Sequence, residues 1–176
     1  GTTESKNNTY NMYTKGQTVA DFAYFQNLNF YVPEGTTAGE TMLTVTGNAA
    51  VDADTTLAAV QNSTTTDGTT DVSGATVFGG VQRNTKLNPG EYINLLYNAN
   101  GITTDDTSYG TIDGLDTVTS AGFINYKAIV EKKDANTIVI TIPKDEKGTS
   151  DTDTKILPED RENAANTIKN AGDIIA

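Results

Sequence analysis

The sequence contains no Cys, no His and no Trp. Without His, the common Ser–His–Asp and Cys–His catalytic arrangements and His-ligated metal sites are excluded. Without Cys, there is no thiol nucleophile. The missing Cys also suits a protein that crosses an oxidising periplasm unfolded, because no disulfide forms on the way. No stretch approaches the ~20 apolar residues of a membrane-spanning helix, and no Gly-rich phosphate loop followed by Lys is present.

Positive charge is scarce. The chain has 12 Lys and Arg against 23 Asp and Glu, which gives a net charge of −11. Such a surface cannot neutralise phosphates, so nucleic acid is excluded as a partner, and docking on anionic lipid is disfavoured. The hydrophobic fraction of 36% lies below the roughly 45–50% of globular domains, which fits strands that each bury one face thinly.

The apolar runs have the two-residue period of β-strands. In the run 27–32, Leu28, Phe30 and Val32 alternate with polar or amphipathic residues, which is typical of a half-buried strand. Further apolar runs lie at 41–46, 56–60, 75–78, 92–97, 122–130 and 137–142. The sequence therefore predicts an all-β body of roughly eight to ten strands with one elongated core. A sandwich, a jelly roll and the rungs of a β-solenoid are all compatible with this spacing.

Four segments follow from these patterns. We expect a polar lead-in at 1–17, a β-rich body at 18–142, an acidic polar linker at 143–157 and a single α-helix at 158–176. Pro158 suits the first helical turn, and the acidic residues that follow it complement the positive end of the helix.

The predicted helix has one narrow face of small and apolar residues, which allows close approach to another backbone. These residues are Ala164, Ala165, Ile168, Ala171, Gly172 and Ile175. Such a stripe is too thin to stabilise an isolated helix of roughly 18 residues. We therefore expect this face to pack on the β-body or on a second copy of the chain.

Paired carboxylates are the remaining candidates for chemistry, as glycosidase acids or calcium ligands. The pairs are Asp105 with Asp106, Asp113 with Asp116, and Asp151 with Asp153. A glycosidase also needs an aromatic sugar platform, and the chain has no Trp. The run from Asp151 to Asp153 alternates like the start of a calcium loop but lacks the Gly and distal Glu of an EF-hand. We therefore predict no catalytic site, no metal site and no cofactor.

Two polar excursions, at 62–74 and 103–120, are predicted as exposed loops because each is long and poor in apolar residues. If the protein binds a ligand, these loops are the places for it. The candidate contacts on the second loop are Asp105, Asp106, Tyr109 and Asp113.

Several stretches resemble, in order, the late passenger region of bacterial autotransporter proteins. The run 25–33, with Leu-Asn-Phe-Tyr-Val, and the run 39–47, Gly-Glu-Thr-Met-Leu-Thr-Val-Thr-Gly, are similar to the family's "LNFYLP" and "GDTMLTVTG" strands. The runs 87–96, 123–127, 137–140 and 154–176 are similar to its next strands and to the helix that precedes the outer-membrane β-barrel. The similarity extends from residue 25 to residue 176, apart from the two excursions. Leu-Pro-Glu at 157–159 stands where the family has Leu-Ser-Glu.

The resemblance implies the end piece, or cap, of a right-handed parallel β-helix, which is a β-solenoid. It implies a non-enzymatic segment of an adhesin that serves as membrane-proximal stem and folding cap. The implied location is the bacterial cell surface and outer membrane after export through the periplasm, and the implied partner is the β-barrel of the same polypeptide. The helix face defined above would then lie against that barrel.

A second hypothesis comes from a different class of function. In it, the chain is a ligand-binding adhesin domain, an antiparallel β-sandwich or jelly roll. The polar loops would then recognise a glycan or a host matrix protein. Aromatic residues clustered beside the loops would favour this hypothesis, and bare polar loops would favour the stem.

Overall fold

The computed structural model describes residues 8–21, 25–47, 67–115, 117–120 and 124–150. This part of the chain contains strands and turns and no helix, so the all-β prediction is confirmed for it. The predicted helix and its packing face lie outside the described residues. The strands are β1 Thr9–Met12, β2 Gln17–Val19, β3 Asn27–Val32, β4 Thr41–Val45, β5 Thr70–Asp71, β6 Thr76–Val81, β7 Tyr92–Tyr97, β8 Ile102–Thr103, β9 Ser108–Thr111, β10 Thr117–Ser120, β11 Ile124–Lys127, β12 Ile129–Asp134, β13 Thr137–Thr141 and β14 Thr149–Ser150.

A four-stranded sheet, in the order β1-β3-β6-β9, is wholly parallel and paired in register. One row of aligned residues is Thr9, Asn27, Thr76 and Ser108, and the next is Tyr10, Leu28, Val77 and Tyr109. Because side chains alternate between the two faces of a strand, each row points to one side. The first row is polar and faces outward, whereas the second row packs into the core.

A second sheet, in the order β12-β13-β7-β4-β2, contains both parallel and antiparallel strand pairs. Strands β2, β4 and β7 are parallel, and β13 and then β12 continue the sheet in antiparallel pairing. A short parallel pair, β5 with β8, and an antiparallel sheet, β10-β11-β14, complete the described part. The wholly parallel sheet has no place in the antiparallel sandwich or jelly roll that stood as the alternative.

Two turns with the same hydrogen bonds lead into β4 and β7. In the first, the Glu40 N–H donates to the Thr37 carbonyl (3.2 Å) and its carboxylate accepts from the Thr37 N–H (2.8 Å). In the second, the Glu91 N–H donates to the Asn88 carbonyl (2.9 Å) and its carboxylate accepts from the Asn88 N–H (2.9 Å). The glycine before each Glu has a φ of 89° or 90°, which L-residues rarely adopt. The same Gly-Glu turn thus precedes both β4 and β7.

One hydrophobic cluster runs through the described part, as predicted from the apolar runs 27–32, 41–46, 92–97 and 137–142. Its members from these runs are Leu28, Phe30, Val32, Met42, Leu43, Val45, Ile93, Leu95, Leu96, Ile138, Ile140 and Ile142. Each of them is at most 1% exposed. Close packing of this kind makes the cluster sensitive to any change of side-chain volume.

Gly79 provides space for the core to close. A Cβ atom at this position would lie 2.9 Å from Leu95 Cδ1 and 3.2 Å from Val130 Cγ2. Its neighbours in the same row are Met12, Phe30 and Thr111. Because Gly79 has no side chain, Leu95 of β7 and Val130 of β12 occupy the space beside it. At the aligned position of the adjacent strand β3, Phe30 fills that space with its own side chain.

The structure places strands inside segments that the sequence assigned differently. The predicted lead-in 1–17 contains β1, the edge strand of the parallel sheet, and the predicted linker 143–157 contains the start of β14. The prediction that 103–120 is a loop is wrong, because β8 ends there and β9 and β10 follow. In the loop predicted at 62–74, the described residues 67–74 include β5. These strands have few apolar side chains. Backbone pairing holds them in place, for β1 and β9 with the apolar strands β3 and β6, and for β5 and β8 with each other.

A buried amide closes the corner between β7 and β8. Asn98 is 0% exposed, and its Nδ2 donates to the Gly68 carbonyl and to Thr70 Oγ1, both at 2.8 Å. Its Oδ1 accepts from the Asn100 N–H at 2.7 Å. The Asn98 N–H donates to the Asn136 carbonyl at 3.1 Å. Each of these polar groups therefore has a hydrogen-bond partner, as is usual for polar groups buried in a protein.

Replacing Asn98 with Ala should destabilise the fold by about 2–4 kcal/mol, because it leaves several buried donors and acceptors without partners. Chemical denaturation monitored by circular dichroism measures the loss. Asn100→Ala is the matched control, since this neighbouring Asn is exposed and should cost less than about 1 kcal/mol. Equal losses for the two variants would contradict the role assigned to the buried amide.

Candidate functional site

Two of the predicted ligand contacts, Asp105 and Asp106, lie in the tight turn between β8 and β9. The Asp105 N–H donates to Ser73 Oγ at 3.0 Å. Asp106 has a φ of 58° and is the one non-glycine residue with positive φ among those described. Gly74, one pass earlier in the chain, has a φ of 78° in the equivalent turn. Both aspartates are exposed, and backbone geometry accounts for the position of the second.

The other two predicted contacts point to different surroundings. Tyr109, in β9, is aligned with Val77 and packs against the hydrophobic cluster. Asp113 is exposed in the turn that follows β9. The four residues therefore do not share one turn, and Tyr109 is partly buried against the core. Within the described ranges, no group of three or more Asp and Glu side chains is placed to hold a metal ion.

The last strands of the parallel stack, β7, β8 and β9, are covered by the β12–β13 hairpin. We take this capped end of the stack as the candidate functional site. The hairpin continues the sheet beyond β7 and lies against β9. The Ile102 N–H of β8 donates to the Ala135 carbonyl (2.9 Å), and Lys132 Nζ donates to the Ile102 carbonyl (3.0 Å). At the tip of the hairpin, Asn136 Nδ2 donates to the Asn98 carbonyl (3.0 Å). The hairpin thus occupies backbone groups that a further parallel strand would otherwise use.

The inner and outer faces of the hairpin differ. Val130 is 7% exposed and belongs to the core, whereas its neighbour Ile129 is 41% exposed. On the outer face, a shallow depression of about 350 Å³ is lined by ten residues, Gly90, Tyr92, Ile129, Glu131, Lys133, Val139, Thr141, Ile142, Pro143 and Lys144. This volume is at the lower limit of small-molecule sites.

Charged side chains at the hairpin tip are held locally. Lys133 Nζ lies 4.6 Å above the centre of the Tyr92 ring and 3.3 Å from Asp134 Oδ2. The Asn136 N–H donates to Asp134 Oδ1 at 2.9 Å. This backbone hydrogen bond, and with smaller effect the contacts from Thr137 and Lys133, lowers the pKa of the Asp134 carboxyl. The geometry is that of a hairpin turn and offers no nucleophile with a base beside it.

At the opposite end of the parallel stack, an ion pair joins the turn between β1 and β2 to the turn that precedes β4. Lys15, in the turn between β1 and β2, places its Nζ 2.8 Å from Glu40 Oε1. The carboxylate also accepts from the Thr37 N–H and from Thr37 Oγ1 at 2.8 and 2.9 Å. The Lys15 ammonium, followed by the two Thr37 donors, holds the pKa of the Glu40 carboxyl at about 2, below its usual 4.5.

Sequence reasoning missed the residues that build the capped end, above all Asn98, Lys132 and Asn136. The one available signal was the Gly-Glu pair that recurs at 39–40 and 90–91, which indicates a repeated turn. Among the described residues, no helix is long and apolar enough to cross a membrane. No family model, no curated protein and no solved structure matches the chain.

Replacing Asp106 with Gly should raise the free energy of unfolding by about 0.5–1 kcal/mol, because it relieves the cost of a left-handed conformation at a non-glycine residue. Asp106→Ala removes the same carboxylate but keeps a Cβ, so it should not stabilise the protein. Thermal melting of both variants measures the difference. Equal melting temperatures for the two variants would contradict the backbone explanation.

Glu40 should stabilise the protein in a pH-dependent way. Since its pKa is lowered on folding, its contribution is fully present above about pH 4.5 and is lost as the pH falls through about 2. Glu40→Gln should therefore be less stable than the parent chain at neutral pH, and the two stabilities should converge in strong acid. Denaturation curves across this range measure the gap.

Lys15→Met is the partner variant for that measurement, because it removes the largest cause of the lowered pKa. Its stability difference from the parent chain should also shrink as the pH falls. A gap for Glu40→Gln that stays constant from neutral pH to strong acid would contradict the assignment.

Proposed function

We propose that this chain is the membrane-proximal stem and folding cap of an autotransporter-type adhesin displayed on a bacterial cell surface. In this proposal, the parallel strands are the last rungs of a right-handed β-solenoid, and the β12–β13 hairpin ends the solenoid. The segment is non-enzymatic. It is followed by a linker helix whose small-residue face, defined above, contacts the outer-membrane β-barrel of the same polypeptide after export through the periplasm.

The observation that carries the proposal is the change from parallel to antiparallel pairing at β7. On one side, β7 pairs parallel with β4, and on the other it pairs antiparallel with β13. A parallel stack leaves an unsatisfied edge at each end, and a terminal hairpin is a common way to cover one. The order of the pieces, with stacked passes first and the hairpin afterwards, supports a cap at the C-terminal end of a longer stack.

The Asn98 corner supports a role in folding. The hairpin tip bonds to residues at the end of β7 and to β8, so forming the hairpin also fixes the last parallel pass. Antiparallel hairpins form from contacts that are local in sequence, whereas parallel pairing requires long loops to close. A hairpin that forms early would give the parallel strands an edge on which to assemble.

The ligand-binding hypothesis receives no comparable support. Of its candidate contacts, Tyr109 is partly buried against the core and Asp106 has the left-handed backbone of a turn. The stem is therefore the function that the geometry favours.

Disrupting the hairpin should impair display of whatever precedes it. We would place the chain between an exported reporter domain and an outer-membrane β-barrel, and then introduce Val130→Asp. The new carboxylate would lie in the core beside Gly79 and cost several kcal/mol. Folded, protease-resistant reporter at the surface should fall about fivefold or more, while barrel insertion, measured by heat-modifiable gel migration, stays unchanged.

Ile129→Asp is the matched control, because it makes the same substitution one residue away on the outer face, where the side chain is 41% exposed. It should display the reporter as well as the parent sequence does. Undiminished display of folded reporter with Val130→Asp would overturn the folding-cap function.

A further inference from the structure

The outward face of the parallel sheet carries a row of two amides and an aromatic ring. Across β1, β3, β6 and β9, the aligned residues are Asn11, Asn29, Phe78 and Gly110. The residues on either side of Asn29 and of Phe78 in the sequence are buried. Because side chains alternate between the two faces of a strand, this row points away from the core. We call these four residues the outward row.

Phe78 is held across the sheet by the glycine beside it. A Cβ atom at Gly110 would lie 3.1 Å from Phe78 Cε1 and 3.4 Å from its Cδ1 and Cζ. The Phe78 ring therefore occupies the space that a side chain at Gly110 would fill, and it lies over β9. Phe78 is nevertheless 36% exposed. Its ring thus presents an apolar platform to solvent at one end of the outward row.

At the other end of the outward row, the two amides are joined to each other. Asn29 Nδ2 donates to Asn11 Oδ1 at 3.0 Å, across strands about 4.8 Å apart. In the adjacent row of the same face, Thr76 Oγ1 donates to Asn27 Oδ1 at 2.7 Å. An Asn amide has two donor hydrogens and two acceptor lone pairs. Asn11 and Asn29 therefore keep hydrogen-bonding capacity for a ligand after they have bonded to each other.

This face is uncharged, although the chain carries a net charge of −11. The outward row contains no acidic or basic residue, and neither do Asn27, Thr76 and Ser108 in the row beside it. An anionic ligand would be repelled by so acidic a chain, and a cationic ligand would find no carboxylate in these rows to pair with. The charge distribution therefore favours an uncharged ligand.

An uncharged oligosaccharide has the chemistry that matches the outward row. Its hydroxyl groups both donate and accept hydrogen bonds, as the Asn amides do. The C–H groups on one side of a pyranose ring pack well on an aromatic ring, because the face of that ring carries partial negative charge. Strands paired in register make the surface regular across its width, which suits an extended sugar chain better than a compact molecule.

We infer that the outward row binds an extended, uncharged oligosaccharide of pyranose sugars. One sugar ring packs on Phe78, and hydroxyl groups of the neighbouring sugars bond to Asn29 and Asn11. None of the aspartates considered above as loop contacts belongs to this surface. A rung that preceded β1 would pair in the plane of the sheet, so the outward row stays accessible in a longer stack. The inference goes beyond the stem function and does not rest on it.

An NMR titration of the isotope-labelled 176-residue chain with cellohexaose, an extended and uncharged hexasaccharide, tests the inference. Signals of Gly110 and of the Asn11 and Asn29 side-chain amides should shift saturably. Phe78→Ala should weaken binding about tenfold or more, because it removes the apolar platform. Phe78→Tyr keeps the ring and should bind like the parent chain. Ile129→Ala is the matched control and should leave the affinity unchanged, since it removes an apolar side chain that is 41% exposed on the hairpin instead.

Asn29→Asp gives a second route to the same answer if Phe78→Ala melts at a lower temperature than the parent chain. It keeps the shape of the side chain but removes its N–H donors and adds a negative charge, so it should also weaken binding about tenfold or more. Hexagalacturonic acid, in which each sugar carries a carboxylate, should bind about tenfold more weakly than cellohexaose, or weaker still.

An absence of saturable shifts with cellohexaose would overturn the inference, and so would shifts centred away from the outward row. Equal affinities of the parent chain, Phe78→Ala and Asn29→Asp would overturn it as well. Equal affinity of the parent chain for the two hexasaccharides would contradict the selection for an uncharged ligand and overturn it too. Since the titration contains neither barrel nor reporter, its failure is distinct from a failure of surface display.

Discussion

Parallel pairing in register is the constraint on which the rest of this structure depends. Once Asn27 aligns with Thr76 and Thr76 with Ser108, every residue in those strands inherits the direction of its neighbours in the row. A row must therefore be apolar or small throughout if it faces inward. Gly79 satisfies this rule in a different way from Phe30, because its missing side chain makes room for Leu95 and Val130.

The same constraint explains why polar residues have structural roles here. Parallel passes need corners, and corners bury backbone groups that no strand partner can satisfy. Asn98 meets that demand between β7 and β8, where its amide is buried. The Gly-Glu turns before β4 and β7 make equivalent side-chain bonds to backbone at exposed corners. Asn and Asp hydrogen-bond readily to nearby backbone, so a chain rich in them can build many corners with little apolar material.

A parallel stack must also end, and this chain ends it on one side by reversing direction. Residues 129–141 fold back as a local hairpin and pair with β7. Lys132 of the hairpin bonds to Ile102 of β8, and Asn136 at its tip bonds to Asn98, just after β7.

The amino-acid sequence by itself determined the all-β class, the apolar runs that form the core and the absence of His and Cys chemistry, because alternation and composition are local properties. The structure alone determined the parallel register, the strands β8 to β10 within a supposed loop and the packing of Tyr109 against the core. It also determined the roles of Asn98 and Lys132. Each of these depends on which distant strand lies alongside, and a row of aligned residues from separate passes has no signature in the local pattern of any one of them.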